Sequence, residues 1–277
     1  MGPCPIDRLE MYGMRYRIIY LLLLLAFITA SCRHHPTMRE MGIVLDTLQA
    51  TGGVALTDSI ESPRCTADIQ LITIANKEYA PLCDSLLRSG VLSPEYLSLT
   101  DRHIEAKEAV DSFIKRYCND YRTFYSGLFT DEGDTATASI GFKLRTDIEE
   151  GRDSVLTYKA HITNRQGAVT TDYTVCRNLD LPRKRILDLE DVFVPGYQNG
   201  LCEAIAAQLM KQSAKKSMEE LRAAGFFNGI DIYPTSNFLL GQNAITFVYV
   251  AGEIADREKG EIQVEVKYSK VKHLLKR

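Results

Sequence analysis

The chain has 277 residues, of which 45% are hydrophobic and 25% charged, which excludes a disordered polymer and a multi-span membrane protein. Thirty-three basic residues against 36 acidic ones leave a net charge of -3, so there is no cationic excess to draw in nucleic acid. Trp is absent, but 14 Tyr and 10 Phe supply aromatic area for a core.

The first readable element is a leader. Arg15 and Arg17 form a basic start, and Ile18 to Ile28 is a largely apolar run. The run is too short for a bilayer-spanning helix, which needs roughly 20 residues. It fits the apolar region of a secretory signal, with Met14 as the expected initiator. Thr29-Ala30-Ser31-Cys32 follows directly. Small residues before a Cys at this place resemble the lipobox of bacterial lipoproteins. That resemblance implies a diacylglycerol thioether on Cys32, cleavage just before it, and often an acyl chain such as palmitate on the new amine. Each buried methylene adds about 0.8 kcal/mol to membrane affinity, so two or three chains hold firmly. Thr29 stands where a Leu is usual. Residues 1–31 are therefore expected to be a lipoprotein signal peptide.

Residues 32–64 read as a flexible stalk: polar, weakly periodic, with Gly52-Gly53. His34 and His35 lack a third ligand nearby and read as spacer; no metal site and no cofactor are expected. Ala67 to Ala75 reads as a first strand, and residues 77–100 as helix and loop. Asp101 to Phe124 is the clearest helix. Asp101 is its expected cap, and Ala106, Val110, Phe113, Ile114 and Tyr117 make one apolar face.

Thr135 to Leu144, Ser154 to Asn164 and Ala168 to Leu181 read as antiparallel strands, with Arg165-Gln166-Gly167 as a hairpin turn. Helices are predicted over 199–214 and 217–224, the second ending on Gly225. Strands over 244–250 and 261–268 and a short helix over 269–276 complete the chain. The expected class is α+β, an antiparallel sheet with helices packed on it. The expected division is an N-terminal half over 65–181 and a C-terminal half over 182–277.

Cys65, Cys83, Cys118, Cys176 and Cys202 are an odd set, and their spacing fixes no disulfide pairing. No C-x-x-C, H-E-x-x-H, G-x-S-x-G or phosphate-binding Gly loop occurs. A Cys118–His161 pair has no orienting motif around it. Asp188, Glu190 and Asp191 are close enough to act as acid and base or to bind calcium, but a calcium loop would want more oxygen donors and a central Gly, and the cluster reads as structural, with Asp191 as a turn or helix-cap residue at a corner. No catalytic residue is assigned. Asn237, Phe238, Phe247 and Tyr249 are the candidate binding residues for a sugar or protein, since aromatics make good contact platforms. Alternation places Ile245, Phe247 and Tyr249 on one face, a pattern that a core strand shares.

Three stretches carry a family resemblance. They are Asn178-Leu179-Asp180-Leu181 running to Ile186 through Phe193, then Leu221 to Phe226 leading to Asn237-Phe238-Leu239-Leu240. The third is Ile245 to Tyr249 followed by Glu253-Ile254-Ala255, Gly260 and Val264 to Tyr268. In this order they resemble a domain-of-unknown-function family. That family occurs in the extracellular part of the lysozyme-sensing anti-sigma factor RsiV and in the N-terminal region of the peptidoglycan deacetylase PdaC. The family's central turn is usually Gly-Gly-Ala-His; here it reads Gln166-Gly167-Ala168-Val169. The resemblance implies an RsiV-like fold and a non-catalytic envelope module that binds lysozyme or a peptidoglycan component. With the leader, it implies a lipid-anchored protein on the periplasmic face of the outer membrane. An envelope hydrolase and a structural or assembly lipoprotein are the alternatives.

Overall fold

The computed structural model describes residues 36–92, 103–127 and 137–276. The leader, Cys32 and Asp101 lie outside the described residues. From Thr37 onward the chain forms one unit. Two sheets organise it. The first six strands form one sheet in chain order, and the last three form a second.

β1 (Leu45–Ala55) and β2 (Arg64–Ile74) form a long antiparallel hairpin, with Leu45 opposite Ile74 and Ala55 opposite Arg64. This corrects the flexible stalk expected over 32–64. β1 is an edge strand with mostly exposed or half-exposed side chains, so it carries little of the apolar alternation that marks a strand. Its two glycines are packing positions rather than hinges. A Cβ on Gly52 would lie 2.2 Å from Cγ2 of Ile114, and one on Gly53 would lie 2.8 Å from the Cys65 carbonyl oxygen.

After β2 the chain turns through a 3-10 turn into α1 (Ala80–Leu86), which widens into a π-type turn at Leu87–Val91. α2 (Ala106–Tyr125) follows. Ala109, Val110 and Phe113 are buried on it, and Ala106, Ile114 and Tyr117 pack half-buried around them, as the three- and four-residue spacing predicts. Phe113 lies 4.7 Å, ring to ring, from Phe142.

β3 (Ile140–Glu150) enters beside β2 and parallel to it, with Cys65 opposite Ile140 and Gln70 opposite Arg145. The six-stranded sheet is therefore mixed, which corrects the all-antiparallel expectation. The cause is the connection. A strand pair joined through helices lying across one face returns the chain to its starting end, so the next strand runs parallel.

β3, β4 (Val155–Gln166) and β5 (Val169–Asp180) make an antiparallel meander. The β4–β5 turn is Gly167-Ala168, one step later than the expected Arg165-Gln166-Gly167. Gly167 has φ +60°, and a Cβ there would lie 2.9 Å from the Thr137 carbonyl oxygen. A side chain is doubly disfavoured at that position. Along β4, Leu156, Tyr158, Ala160 and Ile162 enter a first core with Ile69, Leu71, Val110, Phe113, Phe142 and Leu144. Alternation puts His161 and Thr163 on the opposite, more polar face.

β6 (Arg185–Ile186) pairs only with Leu179 and Asp180. The outer edge of β5 from Asn178 back to Val169 thus faces no strand of its own sheet. Beyond β6 come α3 (Leu189–Val192), α4 (Gln198–Gln212) and α5 (Met218–Ala223), then β7 (Phe238–Leu240), β8 (Ala244–Tyr249) and β9 (Ile262–Lys267), and finally α6 (Tyr268–Val271). Phe193, Leu201, Ile205, Phe227, Phe238, Ile245, Phe247, Tyr249 and Val264 make the second core. Gly225, with φ +85°, ends α5 as expected. The last residues return to α3: Val194 donates to the Leu274 carbonyl at 2.8 Å, and Lys276 to that of Val192 at 2.9 Å. No helix among the described residues is long and apolar enough to cross a membrane.

Candidate functional site: a tyrosine–glutamate groove above an asparagine clasp

The sequence-selected residues lie one layer beneath the surface. Phe238, Phe247 and Tyr249 are all buried in the second core, with Phe238 and Phe247 rings 6.2 Å apart. They cannot form a ligand-contacting face, which corrects that expectation. The alternation that aligned Ile245, Phe247 and Tyr249 marks the side of β8 packed into this core. Val248, on the other side, meets Leu239 and Cys176 between the two sheets.

Asn237 is a tie. Its Oδ1 accepts from the Cys176 N–H at 2.6 Å, and its Nδ2 donates to the carbonyls of Thr174 at 2.8 Å and Val248 at 3.0 Å. Bonding the oxygen of one residue and the N–H two residues on is how a parallel strand pairs. The side-chain amide of Asn237 thus imitates a strand on the open edge of β5. Asn178 of β5 reciprocates. Its Nδ2 donates to the Phe238 carbonyl at 2.9 Å, and its Oδ1 accepts from the Leu240 N–H at 2.7 Å. Two amides thereby satisfy backbone groups on both strands and join the sheets where no ladder exists. Both asparagines belong to the stretches that carry the family resemblance.

Asp188, Glu190 and Asp191 are not on an extended strand. Asp188 caps α3, with its N–H donating to Asp191 Oδ2 at 3.1 Å. Asp191 Oδ1 also pairs with Arg185 at 2.8 Å. These two carboxylates are committed to the corner, as a turn reading of the motif predicts.

Glu190 has a different role. It is exposed, and its Oε1 accepts from the Tyr197 hydroxyl at 3.1 Å. Tyr197 is buried and stacks on Phe193, ring centroids 5.1 Å apart. Across an open cleft of about 710 Å³ stands a second pair of the same kind. The Tyr233 hydroxyl donates to Glu253 Oε1 at 2.7 Å, while Glu253 Oε2 accepts from the Val250 N–H at 2.8 Å. Asp188, Gln198, Thr235 and Ser236 also line it. Tyr249 supports Tyr233 from below: its hydroxyl donates to the Tyr233 carbonyl at 2.6 Å, and its ring lies 5.9 Å from Tyr233. Phe227 meets both rings edge-on, at 6.1 and 5.9 Å. The sequence signal that found Tyr249 thus found the base of the groove rather than its wall.

The electrostatics follow from the pairing. Burial, then the hydrogen bond to Glu190 and its charge, push the Tyr197 phenol up to about 12. Burial and Glu253 raise the Tyr233 phenol likewise. Each phenol keeps its proton and spends it on a glutamate. The cleft is then lined by three carboxylates, Asp188, Glu190 and Glu253, beside the tyrosines and the polar side chains of Gln198, Thr235 and Ser236. Such a surface suits ligands rich in O–H and N–H donors and disfavours polyanions.

A second groove, about 520 Å³, runs along β5 and is lined by His161, Thr163, Asp172, Thr174, Arg257 and Glu261 among others. His161 Nδ1 lies 3.1 Å from Thr174 Oγ1, and Nε2 lies 3.5 Å from Asp147. Cys118 is on α2, in contact with Cys65, so no thiol–imidazole pair with His161 forms. Among the described residues no group of three or more His, Cys, Asp or Glu is placed to hold a metal ion.

Residues 190–269 match the model of a family described as a protein of unknown function, DUF3298. A crystal structure of a DUF3298 family member from Bacteroides fragilis NCTC 9343 is similar over 85% of this chain and 94% of its own, with a TM-score of 0.74 at 21% identity. A DUF3298 family protein from Pseudomonas aeruginosa PAO1 is similar over 84% and 95%, with a TM-score of 0.57 at 15% identity. No curated protein matches the sequence. The matched stretch begins at Glu190 and ends just past β9, so it holds both tyrosine–glutamate pairs. Residues 190–269 are similar to the DUF3298 family model, and the chain around them shares the fold of these two solved structures.

Proposed function

We propose that the protein is a lipid-anchored binding module of the cell envelope, held through Cys32 and acting without catalysis. Its ligand is a peptidoglycan component or a lysozyme-like wall-cleaving protein, met on the periplasmic face of the outer membrane. The observation that carries the reading is the carboxylate-lined groove between the Tyr197–Glu190 and Tyr233–Glu253 pairs. Glycan hydroxyls and the ammonium and guanidinium groups of a basic protein are donors of the kind it fits. Fixed aromatic side chains also lose little entropy when a partner docks. The apolar run ending at Ala30-Ser31-Cys32, and the resemblance set out from residues 178 to 268, support the anchor and the ligand class.

The test is capture of hen lysozyme and of soluble muropeptides on the purified protein, compared with Glu190→Gln and Glu253→Gln. Retention of one ligand is expected, weakened about tenfold or more by either substitution, since a charge-assisted hydrogen bond contributes about 1.5–3 kcal/mol. Equal retention by both variants would remove the groove from the proposal. Release of soluble product from labelled wall would replace the module with a hydrolase. Mass spectrometry of the N-terminal peptide checks the anchor: acyl mass on Cys32 is expected, and an unmodified Cys32 overturns it.

A further inference from the structure

Two sulfurs touch inside the first region. Cys65 lies on β2 and is fully buried, and Cys118 lies half-buried on α2, one turn beyond Ile114. Their Sγ atoms are 4.0 Å apart. The other thiols are engaged elsewhere. Cys83 donates to the Ile74 carbonyl at 3.7 Å and Cys202 to the Ile232 carbonyl at 3.1 Å, while Cys176 packs with Leu239 and Val248. We infer that Cys65 and Cys118 form a disulfide that fastens α2 to β2, and that Cys83, Cys176 and Cys202 stay reduced.

The geometry favours that pair. α2 is held close over the hairpin because Gly52 leaves room for Ile114, and Cys118 then falls above Cys65. Closing from 4.0 Å to a bond of about 2.05 Å needs each sulfur to move by about 1 Å, which rotation about the Cα–Cβ bonds supplies. The environment sets the order of events. Cys118 is the less buried residue of the two, so an oxidant meets it first. As thiolate it attacks a disulfide oxidant, either oxidised glutathione or a protein dithiol oxidase in its disulfide form. One sulfur of the oxidant leaves as a thiolate. Cys65 then gives up its proton and attacks the Cys118 sulfur of the mixed disulfide, expelling the oxidant's second sulfur. Two protein thiols become one disulfide, and the oxidant takes up the two electrons and two protons as two thiols. Burial raises the Cys65 thiol, which makes the closing step slow. It also makes Cys118 the side that a reductant meets first once the bridge exists. The bridge closes the chain between residues 65 and 118, so it restricts the unfolded state as well as pinning the native helix.

The compartment in which this happens rests on the envelope reading, because cytosolic thiol pools keep such pairs reduced. Two arms keep the questions apart. In the first, the reduced, folded full chain is equilibrated with glutathione buffers and digested without reductant. A peptide joining Cys65 to Cys118 is expected, with a urea midpoint about 1 M higher after oxidation and no such rise in Cys118→Ala or Cys65→Ser. Cys202→Ser is expected to keep both the peptide and the rise. Absence of the joined peptide in the oxidised wild-type chain, or a different pairing, overturns the inference. In the second arm, cells are quenched with N-ethylmaleimide before lysis. Finding both cysteines alkylated there, while the bridge forms in glutathione, leaves the pairing intact and counts against the oxidising envelope.

Discussion

The two regions of the molecule bury their strands in opposite ways. In the first, β4 alternates: Leu156, Tyr158, Ala160 and Ile162 go to the core, while His161 and Thr163 face away. In the second, β8 is buried almost throughout, with Phe247 and Tyr249 under one face and Val248 on the other. A sheet covered on one face can spare its other face for polar groups. A short sheet sandwiched between a helix layer and another sheet cannot. The small sheet therefore depends on its neighbour for half of its burial, and the two asparagine amides hold it there. The stretch that matches the DUF3298 model is therefore not self-sufficient. One of its faces is completed by β5, which lies outside the matched residues.

The largest expected effect tests whether the two cores stand or fall together. Phe113→Ala and Phe247→Ala each empty a fully buried aromatic site and are expected to cost about 3–5 kcal/mol. Because the sheets share the Asn178–Asn237 clasp, both should lower one common urea transition. Separate transitions in Phe247→Ala, one for each core, would show that the regions unfold independently. A smaller effect sharpens the clasp itself. Asn178→Ala leaves the Phe238 carbonyl and the Leu240 N–H without partners in a buried place. It is expected to cost about 2–4 kcal/mol in urea unfolding. An effect below about 0.5 kcal/mol would mean that the Asn237 amide and apolar contact join the sheets without help from Asn178.

The smallest effect is in pH and belongs to the second region. The Tyr197 phenol is held at about 12 in the folded chain, against an ordinary value of 10.0. The neutral form is favoured by folding, so this stabilisation is complete below pH 10. It is lost as the pH rises from there through about 12, where the unfolded chain gives up its proton first. The urea midpoint of the wild type should fall across that window, and Tyr197→Phe should fall less. Equal falls would sever Tyr197 from the alkaline transition.

Much of this architecture is legible in the chain. The α2 face and the β4 strand follow from spacing, because each repeats its burial period several times, while the Gly225 stop and β8 follow from residue type. β1, β6 and β7 do not. β1 lies at an edge and shows little alternation, while β6 and β7 are too short to show a period at all. The site was half legible. Glu190 and Tyr249 stood out as a carboxylate and an aromatic at pattern positions, but nothing local says that one lines a cleft and the other supports its wall. Tyr197 and Tyr233, which form the walls, sit in irregular segments without a pattern to mark them.

The sequence by itself determined the α+β class and which residues are apolar enough to be cores. Tertiary structure alone decided that β3 lies parallel to β2, and that Asn237 serves the backbone of another sheet rather than a ligand. It also brought Tyr233 and Glu253 to face Tyr197 and Glu190. The physical reason is range. Periodicity reports which side of an element is dry, an effect within a few residues. Pairing direction, a borrowed backbone partner and a two-walled cleft each join segments tens of residues apart, and only the packed chain supplies that second segment.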